Sequence, residues 1–209
     1  MAAPAKLLLA SSNHGKLAEY QALASASAAA RHVELALFPN FASLPAFDES
    51  APTLAENSAG KALHYSRFAD EPVLADDSGL VVPVLGGAPG VHSARYAGLG
   101  ATDGDKIRKL LAEMRYKKSD ARAARFVCVI AVARRGRVVA VVSDFASGVL
   151  LESPRGTAGF GYDPIFLVPE LNKTFAELTR EEKNRFSHRG KAFRRLLEAL
   201  ATSPATMRD

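Results

Sequence analysis

The chain has 209 residues, is 48% hydrophobic and 23% charged, and carries a net charge of +5. That suits one globular domain with a sizeable core, in at most two lobes. It excludes a membrane span, since no apolar run approaches ~20 residues, and the lone Cys128 excludes an intramolecular disulfide. No basic and apolar leader is visible from Met1 to Lys6, and with cysteine so sparse a cytosolic address is expected. Basic residues gather at Arg115 to Arg125 and at Arg180 to Arg195. They fit an anionic partner, be it a polynucleotide, a membrane surface or a small phosphate compound. With no Trp in the chain, stacking surfaces for single-stranded nucleic acid are sparse.

Lys6 to Ala10 reads as a buried first strand. Ser11-Ser12-Asn13-His14-Gly15-Lys16 follows as a small polar loop, and a helix begins near Lys16. The free N–H groups at such a helix start can bind phosphate. The same residues also read as an ordinary Ser/Asn cap with an incidental lysine. The Ala/Ser segment Ala24 to Ala30 extends that helix. Val33 to Phe38 is a second strand, and a proline-rich loop with Asp48 and Glu49 comes after it. Thr53 to Glu56 forms a capping box that opens a helix to about Ala69. Asn57, Lys61 and His64 share one stripe of it, either a solvated face or a functional one, with Leu63 and Phe68 on the packed side.

Pro72 to Ala75 reads as a strand running into Asp76 and Asp77, before a second apolar run, Leu80 to Val82. Alternation sends the two acids to opposite sides. One can hold a hard cation such as Mg2+ through oxygen. Equally, Asp-Ser-Gly is good chemistry for a turn closing a hairpin. Thr102 caps a helix from Asp103 to Arg115, whose stripe is Ile107, Leu110, Leu111 and Met114. Tyr116 to Arg125 is a basic loop. Phe126 to Ala133 is a central strand, Arg134 to Arg137 a hairpin turn, and Val138 to Ser143 returns, with Phe145 to Leu151 prolonging it past a bend. Gly156 to Phe166 then sets glycines around Phe160 and Tyr162. These rings can stack on a planar ligand or pack into the core. Ser187 caps the final helix, whose apolar positions are Phe193, Leu196, Leu197 and Leu200. His188 and Arg189 fall in its first turn, where cations are disfavoured unless an anion or polar ligand meets them or they point into solvent. From Thr202 the chain reads as a frayed tail.

Six motifs occur in order: SSNHGK (Ser11 to Lys16), ENSAGKA (Glu56 to Ala62), ADDSGL (Ala75 to Leu80), GGAPGVHSARYAG (Gly86 to Gly98), GFGYDPIF (Gly159 to Phe166) and LTREEKNRFSHRGKA (Leu178 to Ala192). Together, from Leu7 to about Leu200, they closely resemble the inosine triphosphate pyrophosphatase family, the Ham1-like non-canonical purine NTP pyrophosphatases. The resemblance implies an α/β fold, a long curved mixed sheet flanked by helices, in two lobes of one domain with the active site in the cleft between them. It implies a Mg2+-dependent hydrolase, usually a homodimer, that cleaves ITP, dITP and XTP to monophosphate and pyrophosphate. It implies no membrane and no stable nucleic-acid partner.

By the same resemblance, Ser11, Ser12, Asn13, His14, Gly15 and Lys16 cradle the triphosphate. Asp77 is the catalytic acid and a metal ligand, Glu49 a second metal carboxylate, and Lys61 the essential lysine. Ser78, Phe160, Gly161, Tyr162, Asp163, Lys183, His188 and Arg189 bind substrate, with His188 or Arg189 offering a donor to the base's C6 oxygen. The role of Asp76 stays open. GFGYDPIF and SHRGKA argue against the related Maf-type pyrophosphatases. A nucleic-acid-binding module would leave the paired acids unexplained.

Overall fold

A computed structural model describes residues 5–26, 33–117 and 119–202. The part of Ala24 to Ala30 beyond Ala26, and the tail beyond Thr202, lie outside them. In chain order the elements are β1 (Ala5–Leu9), α1 (His14–Ala26), β2 (Val33–Leu37), α2 (Leu54–Tyr65), β3 (Val73–Val81) and α3 (Asp103–Met114). Then come β4 (Ala123–Arg134), β5 (Arg137–Leu150), β6 (Phe166–Val168), β7 (Lys173–Thr174), α4 (Arg180–Phe186) and α5 (His188–Thr202). The sheet order is β2-β1-β3-β4-β5-β6-β7. β1 runs parallel to β2 and β3, while β5–β6 and β6–β7 are antiparallel, so the sheet is mixed as expected.

The chain divides into two compact units. The first comprises Met1–Asp77, Cys128–Asp144 and Arg189–Asp209, and the second Ser78–Val127 and Phe145–His188. Strand alternation explains how the first is built. Leu7, Leu9, Leu74, Cys128, Ile130 and Val132 pack with Tyr20 of α1 and Phe193, Leu196 and Leu197 of α5. The intervening residues Leu8, Val73, Ala75, Ala131 and Ala133 pack with Ala62 and Tyr65 of α2. Both faces are covered, which is why β1 reads as an unbroken apolar run. Each such Leu or Phe, fully buried, contributes roughly 1.5–3 kcal/mol. In the second unit, Ile107, Leu110 and Met114 of α3 join Leu80, Phe126, Leu150, Tyr162 and Phe166 in one core.

Three expectations are corrected. Asp76 and Asp77 do not end a strand or close a turn, because they lie in the middle of the nine-residue β3. α2 stops at Tyr65, where Ser66 Oγ bonds the Leu63 carbonyl, and Phe68, expected to pack, is 44% exposed. β5 runs through residues 137–150, so the stretch from Phe145 does prolong the strand. Part of the expected basic loop is strand β4 from Ala123, and Arg122 is buried, donating to the carbonyls of Leu150 and Leu151. In the β4–β5 turn Arg135 and Gly136 both have positive φ, +48° and +75°. That is the backbone a two-residue hairpin requires.

Candidate active site

In the first unit, β1 delivers the chain into the Ser11–Asn13 loop at the start of α1. Asn13 Oδ1 accepts from the Lys16 amide at 3.0 Å, which makes it the cap, and Ser11 Oγ accepts from the Asn13 amide at 3.2 Å. Ser12, Asn13 and His14 are exposed and Ser11 is buried. Lys16 reaches from the first turn to β3, its Nζ 3.0 Å from Asp76 Oδ2. On the same oxygen sits Arg189, with Nε at 3.4 Å and Nη2 at 3.3 Å, while its Nη1 pairs with Glu19 of α1. Arg189 is 1% exposed, so a solvated helix start is overturned and this guanidinium is engaged inside the unit.

Burial by itself would raise the Asp76 carboxyl, but the Lys16, Arg189 and Lys61 cations outweigh it and hold the group well below the ordinary carboxylate range. Burial would likewise discharge Arg189, yet Glu19 and Asp76 keep it firmly protonated. Cys128 Sγ lies 4.0 Å from Asp76 Oδ2, and burial followed by the Asp76 charge pushes its thiol up to about 12. It is a packed neutral thiol, not a nucleophile. Among the described residues Asp76 Oδ1 is buried and accepts no hydrogen bond.

The other acid falls on the α2 face. Thr53 caps α2 through the Glu56 amide, and one turn on, the buried Asn57 bonds both the amide and the carbonyl of Ala51. That contact fixes the loop carrying Glu49, whose carboxylate pairs with Lys61. Ser58 Oγ donates to the Ala75 carbonyl at 3.1 Å, joining α2 to β3 beside the acids. Asp77 is 8% exposed. Burial lowers the Lys61 ammonium, but Glu49, Asp76 and Asp77 together raise it, so it stays charged. The stripe Asn57–Lys61–His64 is therefore not a solvated face, for His64 Nε2 also meets the Pro45 carbonyl at 2.8 Å.

In the second unit the Gly159–Asp163 loop is held from several sides. Asp163 Oδ2 accepts from the Phe160 amide at 2.9 Å and from Lys183 Nζ at 2.6 Å. Gly159 has φ +79°, and a Cβ there would stand 2.1 Å from Asp163 Oδ2, so only glycine fits. The Gly161 amide donates to Asp103 Oδ2 at 2.6 Å. Tyr162 is buried in the core with its hydroxyl on the Ser93 carbonyl, so of the two expected stacking rings only Phe160 is partly exposed. Lys183 Nζ is 5.2 Å from the Phe160 ring centre. His188 is buried too and stacks on Phe126 at 4.8 Å and 10°. Ser78 is half-buried.

The sequence profile of the Ham1 family matches residues 7–199. This chain belongs to the Ham1 family. A dITP/XTP pyrophosphatase of Geobacillus kaustophilus is 49% identical over 193 residues, 92% of this chain and 93% of that protein. One from Escherichia coli is 45% identical over 197 residues, 93% and 98% of the two chains. The solved structure of a HAM1 protein from Coxiella burnetii superposes with a TM-score of 0.82 at 40% identity, covering 95% of this chain and 99% of that one.

Three side chains that hold the candidate residues of the two units in place escape motif reading. Glu19 sits one turn after Lys16 with no local pattern to mark it. Asp103 looks like any acid in a helix's first turn. Ser58 is a small polar residue on a helix face. α4 carries a readable sign, the Thr179-x-x-Glu182 capping box, present in both directions.

Proposed function

We propose that this Ham1 protein hydrolyses the non-canonical purine nucleoside triphosphates ITP, dITP and XTP to monophosphate and pyrophosphate, in a Mg2+-dependent reaction. One observation carries the reading: two ammonium groups, Lys16 and Lys61, are set against the adjacent acids of β3, beside a helix N-terminus built to receive anions. The names of the relatives point the same way. A homodimer and a cytosolic address belong to the same reading, supported by the family resemblance and the lone cysteine. Among the described residues no helix is long and apolar enough to cross a membrane.

The donor set suits the metal. Among the described residues no three acids, histidines or cysteines form a ready cage, but Mg2+ typically takes only one or two carboxylates and completes its shell with phosphate oxygens and water. Asp77 and Glu49, both acting on Lys61, supply oxygen donors of that kind. When bound, the ion supplies Lewis-acid stabilisation of the phosphate charge.

The chain does the rest. The α1 N-terminus and Lys16 receive the triphosphate, and Lys61 faces charge that grows as the α–β bridge breaks. One such donor is worth about 3–4 kcal/mol, or roughly 10²–10³ in rate. A carboxylate oxygen of Asp77 accepts the proton of the attacking water, and pyrophosphate leaves. In the second unit Phe160 offers a face to the base, with Lys183 and His188 as its polar partners. A donor aimed at the C6 oxygen of hypoxanthine or xanthine meets another donor in adenine, a mismatch of about 1–3 kcal/mol each. Arg189, engaged with Asp76 and Glu19, supports the acid and leaves base reading to His188.

Pyrophosphate release across a nucleotide panel, with and without Mg2+, tests the reading. ITP and XTP are cleaved, ATP barely, and Asp77→Asn loses at least ~10² in kcat with an unchanged circular-dichroism spectrum. Release of single orthophosphates, or near-normal turnover by the variant, would overturn it.

A further inference from the structure

Asp103 opens α3 but does no capping. Thr102 and Asp105 satisfy that helix start by themselves, each side chain bonding the other's amide. Asp103 instead divides its carboxylate. Oδ1 takes Lys106 Nζ at 2.5 Å, and Oδ2 takes the Gly161 amide at 2.6 Å, a contact between residues 58 apart in sequence. Gly161 has φ +63° and lies between Phe160 and Tyr162. The neighbouring anchors act on the loop's other residues: Asp163 on the Phe160 amide, the Ser93 carbonyl on Tyr162. The Gly161 amide is thus fixed from outside the loop by one carboxylate oxygen.

We propose that Asp103 is a positioning residue for nucleobase binding: it clips the Gly161 amide and thereby sets the plane of the Phe160 ring. A charge-assisted bond of this kind is among the stronger single contacts a loop can have. The clip governs the base and not the phosphates. It rests on the reading above that Phe160 stacks on the base.

The test pairs two substitutions. Asp103→Ala removes the acceptor, while Asp103→Asn keeps an oxygen for the Gly161 amide and drops the ion pair with Lys106. For Asp103→Ala, KM for ITP rises on the order of tenfold, the size of one charged hydrogen bond. Its kcat stays within about twofold, and inhibition by tripolyphosphate, which has no base, does not change. Asp103→Asn returns KM most of the way. Amide exchange at Gly161, read by NMR without any substrate, accelerates in the alanine variant and not in the asparagine one. Unchanged Gly161 exchange in Asp103→Ala, or parallel weakening of ITP and tripolyphosphate, would overturn the proposal. If the unsubstituted protein cleaves no ITP, the activity reading fails, and the exchange measurement still decides the clip.

Discussion

Two neighbouring aspartates do different work because their surroundings differ. Asp77 sits within reach of the α2 lysine, whereas Asp76 is enclosed by Lys16, Arg189 and Cys128. Arg189→Met should expose that difference. It leaves Glu19 and Asp76 as buried like charges and costs about 3–5 kcal/mol, as for any broken buried pair. Urea unfolding measures the loss. The pH sense follows from the depressed Asp76 carboxyl. Its contribution to folding is complete above about pH 4, the unfolded value, and disappears as pH falls through the lower folded value. The difference between native protein and Arg189→Met should therefore shrink in acid. Such a network could not be read from sequence. Asp76 and Arg189 are 113 positions apart, and local pattern carries no information about which distant cation a buried acid will meet.

At the scale of elements, β1, α2 and α3 were legible because their signals are local: an apolar run, and capping residues three apart. β3 was misread for a physical reason. Adjacent acids and a Gly signal a turn when the chain is seen alone, and only the cations waiting on both faces make a strand interior tolerable there. Gly79 shows the same override. Its missing side chain leaves room for the Gly90 carbonyl, which would lie 2.2 Å from a Cβ, so this glycine serves close approach and not a bend. In α2, Asn57 ties down the Glu49 loop through Ala51. Asn57→Ala strands two backbone groups at about 1–3 kcal/mol and loosens that loop. The expected result is a several-fold higher Mg2+ concentration for half-maximal ITP hydrolysis, with kcat at saturating Mg2+ little altered. An unchanged Mg2+ requirement would separate Glu49 from the metal.

For the whole molecule, composition excluded a long apolar membrane span and an intramolecular disulfide, but was silent on the interleaving of the chain. The first unit is assembled from three separate stretches, and the second from two. Periodicity names elements one at a time and is silent about such returns. One outcome belongs to this scale. Pyrophosphate with Mg2+, at a hundred times its dissociation constant, adds about 2.7 kcal/mol to folding stability. In a chain of this length that raises Tm by roughly 5–10 °C. Lys16→Met should show a much smaller rise, measured by calorimetry.

The placement of both acids inside β3 makes strand alignment a chemical choice. β1 fixes that alignment by pairing Leu8 with Val73 and Leu9 with Leu74. Slipping β3 by one position would exchange the two carboxylates between faces. Asp77, the proposed proton acceptor, would enter the buried cage of Lys16 and Arg189, and its caged neighbour would turn toward Lys61. Nothing in the composition or charge of the strand would change, yet the proposed reaction would lose its base. A single inserted or deleted residue between Pro72 and Asp76 is thus more damaging than many substitutions there, and the packing of Leu74 and Ala75 on opposite faces is what guards the count.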